Sequence, residues 1–396
     1  MPSLPPRDPR FPDLASYLEL DGAALRHNVQ VLRGLVGPGV SFGAVLKGNA
    51  YGHGFSDTLP IAHAAVDALY LIDPREALWV RQFEQRTGAP RKQVLVLGAI
   101  SADEAVELAR AGVDATISDR AFAGTIAALR AARLPQPLRA HVHVDTGLGR
   151  EGFTLDRIPA DLALAQASGD VLQVVGALSH FANVEDVTEQ TYAASQLASF
   201  DEGARRLEAL FGRKLQRHVA ASAAALLMPA SRHDAVRAGI AIYGLWPSSE
   251  TRLSARAVHG NIPELRPVLS WRCPSQAVKW LPAGSYVGYG CTYRCPVDTR
   301  IAVLPVGYFD GYPRMLSSRA HALVLGQRCP VLGRVMMNHV VIDVTRAVKD
   351  DAPVVATLLG RDGDESITAD QVAGWAQTIN YEIVTRIGAH LRRVVR

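Results

Sequence analysis

Between Ser41 and Leu245 the chain repeats one pattern: a short run rich in apolar and β-branched residues, then a helix-like stretch. The strand-like runs are Ser41–Lys47, Ala68–Ile72, Gln93–Leu97, Ala115–Ser118, Arg139–Asp145, Leu172–His180, His218–Ala221 and Asp234–Arg237. Between them lie helical segments such as Pro74–Phe83, Ala102–Ala111 and Arg120–Ala132. A longer one, Gln190–Phe211, carries Leu197, Phe200, Leu207 and Leu210 near helical spacing. Eight strands, each followed by a helix, is the count for a (β/α)8 barrel, an α/β fold whose active site gathers at the C-terminal ends of its strands. Functional residues are therefore expected where each strand-like run stops.

After about Arg252 the texture changes. Val268–Lys279, Ser285–Cys295, Ile301–Tyr308, His321–Leu325, Val331–Val344 and Val354–Leu359 are short β-like runs broken by Gly, Pro and Asp. The next long helix is expected at Thr368–Thr378, where Thr368 and Gln371 have the spacing of a capping box. The expected organisation is a loose leader over residues 1–15, the barrel over 16–254 and a mainly β C-terminal domain over 255–396. The Pro-, Arg- and Asp-rich start lacks the apolar stretch of a secretory signal, and no apolar run approaches the roughly 20 residues of a membrane span. A cytoplasmic protein that does not act on membranes is expected. The charge balance of +4 is scattered, with no basic stripe interleaved with aromatics, so nucleic-acid partners are not expected either. Cys273, Cys291, Cys295 and Cys329 form no zinc pattern and read as reduced thiols.

The first strand-like run ends in Ala44-Val-Leu-Lys47-Gly-Asn-Ala-Tyr-Gly-His-Gly54. A lysine closing an apolar strand is costly to bury charged, so burial lowers its pKa and makes it a competent amine nucleophile. The glycines after it allow close backbone approach. The same residues also fit a surface lysine beside a glycine-rich turn. A second constellation is His141-Val-His143-Val-Asp145. Its period of two puts three side chains on one strand face, so a metal-dependent barrel hydrolase using His141 and His143 is an alternative of a different reaction class.

The lysine segment resembles the cofactor-lysine signature of the alanine racemase family. The similarity continues through Val144-Asp-Thr-Gly-Leu-Gly-Arg150, Ser179-His-Phe-Ala182, Ala221-Ser-Ala-Ala-Ala-Leu226 and Arg237-Ala-Gly-Ile-Ala-Ile-Tyr-Gly244. It runs on through Val287-Gly-Tyr-Gly290, Leu304-Pro-Val-Gly-Tyr-Phe-Asp-Gly-Tyr312 and Gly333-Arg-Val-Met-Met337. The resemblance implies a barrel followed by a β domain, and an isomerase that interconverts L-alanine and D-alanine on pyridoxal 5'-phosphate, serine or a broader range of amino acids being the alternative. Lys47 would carry the cofactor as a Schiff base. The Ser222 hydroxyl, the Gly239 and Ile240 amides and the Tyr51 and Tyr381 hydroxyls would hold its phosphate, and Arg237 would face its pyridine nitrogen.

Arginine stays protonated, so Arg237 would donate to the ring nitrogen without protonating it. That makes a weaker electron sink than an acidic partner would, which favours quick reprotonation. His218 orients Arg237 or is a hydrogen-bonded core histidine; His180, at the end of the sixth strand, joins the cofactor-binding set. Racemisation needs a proton carrier on each face of Cα. By resemblance these are Lys47 and Tyr289, the latter from the partner subunit together with Met337, so that a homodimer shares its active sites. A tyrosine, ordinarily titrating near about 10, needs a cationic neighbour to act as a base, and Arg150 is the candidate. Arg150, Met337 and Tyr308 are expected to bind the small amino-acid substrate, with Tyr308 and Tyr381 keeping the pocket small. The chain departs from the family pattern at His143, where many members have a lysine that is often carbamylated. It departs also at Ala221 in place of the usual asparagine, and at Asn338 in place of the usual aspartate.

Overall fold

The computed structural model describes residues 16–185 and 187–396; the expected leader lies outside the described residues. Two compact units emerge. One holds Leu25–Lys47 and Leu59–Arg266; the other holds the described residues up to Ala24, Gly48–Thr58 and Pro267–Arg396.

The first unit is the barrel. Strand β1 (Tyr17–Leu20) belongs to the other unit, and the barrel strands are β2 (Ser41–Val45), β3 (Ala68–Leu71), β4 (Gln93–Val96), β5 (Asp114–Ile117), β6 (Leu138–His143), β7 (Leu172–Leu178), β8 (Gln216–His218) and β9 (Ala235–Ala238). All pair in parallel in the order β8-β7-β6-β5-β4-β3-β2-β9. The seam between β8 and β9 is drawn together by a bridge between Ala221 and Arg237, and the Arg237 N–H donates to the Ala220 carbonyl at 2.9 Å. This is the expected (β/α)8 architecture of the TIM type. Every residue of β3, β5 and β9 is buried, as befits parallel strands covered on both faces. Helices Pro74–Thr87, Ala102–Ala111, Phe122–Ala132 and Thr191–Phe211 fall where helical spacing places them.

The second unit is β-rich. It contains β10 (Leu269–Pro274), β11 (Ala277–Leu281), β12 (Tyr286–Val287), β13 (Tyr293–Arg294), β14 (Thr299–Leu304), β15 (His321–Val324), β16 (Gln327–Pro330), β17 (Val340–Asp343), β18 (Val355–Asp362), β19 (Glu365–Ile367) and β20 (Arg392–Val395). One sheet runs β16-β15-β18-β10-β1-β20, with β19 on β18; a second runs β11-β14-β17, and β12 pairs with β13. Along β10 burial alternates residue by residue, the signature of a sheet with one covered face. The helix Ala369–Ala376 opens with the anticipated capping box: the Gln371 N–H donates to the Thr368 hydroxyl and the Thr368 N–H to the Gln371 side chain, each at 3.1 Å.

The partition differs from the expected 16–254 and 255–396. Tyr17–Leu20 adds to the β-rich sheet, antiparallel to β10 and parallel to β20. Gly48–Thr58 groups with the last third, and the barrel unit ends at Arg266 after the helix Ser249–His259. The expected single run Val268–Lys279 is two strands of different sheets. It breaks where the Ser275 N–H turns to the Val354 carbonyl and the Gln276 N–H to the Val303 carbonyl. Among the described residues no helix is long and apolar enough to cross a membrane.

Candidate active site

Within the barrel unit the chemistry sits beyond the C-terminal ends of the strands. Lys47 follows β2, Arg150 follows β6, His180 follows β7, Ser222 follows β8, and Gly239 and Ile240 follow β9, with Arg237 inside β9. Lys47 is exposed by area, yet its amine stands in a crowded, cationic neighbourhood. Burial, then the charges of Arg150 and Arg237, lower its pKa below that of an ordinary lysine. His143 is pushed down to about 4 and His180 to about 3, in each case by burial first and then by Arg237 and Arg150. Both are neutral near pH 7, so the site presents positive charge and favours anionic ligands.

Arg150 rides on a loop whose ends are tied together. The Phe153 N–H donates to the His143 carbonyl at 2.9 Å and the Asp145 N–H to the Phe153 carbonyl at 3.0 Å. The Asp145 carboxylate gathers the Gly147 and Gly149 amides inside the loop. His143 lies at the end of β6, its Nδ1 3.7 Å from the Glu151 carboxylate.

Arg237 is buried, and its guanidinium donates to the His218 ring at 2.8 Å and to the carbonyls of His218 (2.6 Å), Ser179 (2.7 Å) and Val219 (3.3 Å). Burial, its largest cause, lowers its pKa to about 10, which leaves it a cation at pH 7. Of the two readings of His218, orienting Arg237 and sitting hydrogen-bonded in the core, the geometry holds both. The Ser222 hydroxyl accepts the Gly239 N–H at 2.9 Å and the Ala241 N–H at 3.4 Å. A hydroxyl and backbone donors after β8 and β9 thus converge where barrels commonly take a phosphate.

The alternative ligand role of His141 is not available to it. One ring nitrogen is bonded to His218 at 2.8 Å and the other to Asp114 at 3.3 Å, inside the barrel core. Among the described residues no cluster of three or more His, Cys, Asp or Glu side chains could hold a metal ion. Asp114 itself was missed by sequence reasoning. The only signal is a carboxylate inside the apolar run Val113–Ile117.

Within the β-rich unit, Gly48, Asn49, Ala50 and Tyr51 form a left-handed turn, with φ from 52° to 65°, in the glycine-rich segment. L-residues adopt this conformation at a cost, so surrounding structure must hold it. The Gly52 N–H bonds the Gly48 carbonyl at 3.0 Å, the Phe55 N–H bonds the Asn49 side chain at 2.8 Å, and Arg393 donates to the Gly52 carbonyl. Gly52 must be glycine: at φ +79° a Cβ would stand 1.8 Å from the Val384 carbonyl oxygen. The turn brings the buried Tyr51 ring to 6.2 Å from that of Tyr381, which sits in the unforeseen helix Asn380–Thr385. Tyr308 and Met337 are likewise neighbours, since the Tyr308 N–H bonds the Met336 carbonyl and the Phe309 N–H the Met337 carbonyl. Tyr289 lies in a short 3-10 turn between β12 and β13, 72% exposed.

Residues 20–247 match the sequence profile described as alanine racemase, N-terminal domain, and residues 268–395 that of the alanine racemase C-terminal domain. An alanine racemase of Leptospira interrogans is 35% identical over 387 residues, covering 96% of both chains. The solved alanine racemase of Streptomyces coelicolor is 36% identical with a TM-score of 0.84, covering 96% of this chain and 98% of that one. That of Bacillus anthracis, solved with bound L-Ala-P, is 30% identical with a TM-score of 0.86, covering 96% and 95%.

Proposed function

The chain belongs to the alanine racemase family, and from that premise we propose how its own residues carry the reaction. It is an isomerase that interconverts L-alanine and D-alanine. The observation that carries the reading is the Lys47 amine, depressed in pKa beside Arg150 and Arg237 at the C-terminal end of a nearly closed barrel.

The residues present fit pyridoxal 5'-phosphate. Lys47 would supply the amine, Ser222 and the Gly239 and Ile240 amides would supply phosphate donors, and Arg237 would face the ring nitrogen; the family resemblance would add the Tyr51 and Tyr381 hydroxyls to the phosphate. When bound, the cofactor supplies an aldehyde carbon for an amine and a conjugated ring that spreads the charge left when Cα loses its proton. Lys47 Nζ, as a neutral amine, takes the proton from one face of Cα. The Tyr289 hydroxyl of the second protomer in a cytoplasmic homodimer returns one to the opposite face, and the reverse direction exchanges their roles. Arg150 steadies the tyrosine oxygen while it is charged and, with Tyr308 and Met337 of the partner subunit, positions the substrate carboxylate and side chain. Arg237 would hold the ring of the bound cofactor without giving up its proton. Tyr308 and Tyr381 exclude bulky side chains, which favours alanine.

The test is direct. Protein incubated with pyridoxal phosphate and treated with borohydride should carry the reduced cofactor on the Lys47 peptide, and L-alanine should yield D-alanine on chiral chromatography. Modification elsewhere, or racemisation that persists in Lys47→Ala, would refute the assignment.

A further inference from the structure

Four barrel strands supply one line of hydrogen bonds across the core. Arg237 in β9 meets the His218 ring of β8 at 2.8 Å, His218 meets His141 of β6 at 2.8 Å, and His141 meets Asp114 of β5 at 3.3 Å. Asp114 also accepts from Arg139 at 2.9 Å and from Gln93 at 3.1 Å, and Gln93 pairs with Gln216 at 2.8 Å. Asp114, Gln93 and Gln216 each open their strand, so the line runs from the site to the opposite end of the barrel.

The direction of every bond follows from its ends. Arginine has no acceptor, so His218 Nδ1 must accept and its hydrogen must lie on Nε2. That hydrogen is donated to His141 Nδ1, which leaves His141 protonated on Nε2 and donating to the Asp114 carboxylate. An ionised carboxylate only accepts, so the far end dictates the same polarity as the near end. Burial disfavours ionisation of Asp114, but His141 and Arg139 outweigh it and hold the carboxyl below its usual range. The backbone is built to seat this line. The β6–β7 register slips between Ala140 and His141, and opposite it stands Gly176, where a Cβ would lie 2.0 Å from His141 Nδ1.

We propose that Asp114 is a positioning residue for the racemase: through His141 and His218 it fixes both tautomers and so holds the Arg237 guanidinium in its cofactor-facing direction. The inference rests on the placement of Arg237 against the cofactor ring. Were His218 to carry its hydrogen on Nδ1, two donors would face each other, and Arg237 would lose its bond to the ring and be held by the carbonyls of His218, Ser179 and Val219 without it. Asparagine at position 114 offers an amide oxygen or an amide N–H, so the far end would no longer enforce the polarity set by Arg237, and the second tautomer of His218 would compete with it.

The test uses nitrogen NMR of histidine-labelled, cofactor-free full-length protein together with titration of pyridoxal phosphate. Wild type should show His141 and His218 as neutral Nε2–H tautomers, and a Nδ1–H form at either would overturn the proposal without any variant. Asp114→Asn should populate the second tautomer of His218 and weaken cofactor binding about tenfold, with kcat reduced and KM for L-alanine within about twofold. Asp114→Glu should recover most of the loss. Unchanged tautomers with unchanged cofactor affinity would refute it. If Asp114→Asn does not fold, His141→Gln with Asp114 intact should weaken cofactor binding to a similar degree, and full affinity there would refute it too. Wild type that takes up no pyridoxal phosphate would overturn the assignment of the site itself, a failure distinct from any tautomer result.

Discussion

His53 offers a quantitative handle on the left-handed turn that follows Lys47. It is fully buried, and its Nδ1–H donates to the Tyr51 carbonyl at 3.0 Å and the Ala50 carbonyl at 3.2 Å. Burial, reinforced by Arg393 and opposed by those two carbonyls, pushes its pKa down to about 4. A histidine in an opened turn titrates near about 6.5, so the open form binds protons that the closed form refuses. The stabilisation is complete above about 6.5, drains as pH falls toward about 4, and is then fully lost. Between pH 7.5 and pH 5.0 the linkage amounts to about 2 kcal/mol, or roughly thirtyfold in the opening equilibrium. Hydrogen exchange of residues 48–58 reads that equilibrium, because the amides of Gly52, His53 and Gly54 are all bonded within the turn. After correction for intrinsic exchange rates, protection should fall about thirtyfold across this range. His53→Asn keeps a donor near Nδ1 and has nothing to titrate, so its protection should be lower at pH 7.5 but nearly flat with pH. Equal pH dependence in the two proteins would refute the reasoning.

Three further outcomes are expected. Tyr289→Phe should lower racemisation of both enantiomers by at least about a hundredfold while the visible absorbance of bound cofactor persists, as followed by polarimetry and spectroscopy. Ser222→Ala removes the acceptor of the Gly239 and Ala241 amides and, on the proposed function, a phosphate donor. Its pyridoxal phosphate affinity, read by fluorescence titration, should drop about tenfold. Gly52→Ala forces a Cβ into the Val384 carbonyl at a positive φ. It should lower the melting temperature and expose the turn to protease, at a cost of about 2 kcal/mol or more.

Much of the barrel was legible because its signals are local. A buried parallel strand reads as an apolar run and a covering helix as a 3.6-residue stripe, and both are written within a dozen residues. Helix Ala102–Ala111 and the cap at Thr368 therefore fall where residue spacing puts them. Lys47, Arg150 and Ser222 were findable for a related reason, since each lies beyond the end of such a run, and Arg237 lies near the end of one. Other features depend on partners far along the chain. Tyr17–Leu20 has no local mark of its destination; it joins the last sheet because β10 and β20 offer it two open edges. The left-handed turn at residues 48–51 runs against the preferences of its own residues and is held by Arg393 and the Asn380–Thr385 helix. His141 offered an alternative reading as a metal ligand because period two puts it on one strand face with His143. A one-residue slip against β7 and the space over Gly176 instead seat it between His218 and Asp114. Residue types and their spacing thus marked out the barrel strands and helices and singled out Lys47 as the candidate amine. Register, strain and the polarity of the core were decided only when strands distant in the chain came within bonding distance.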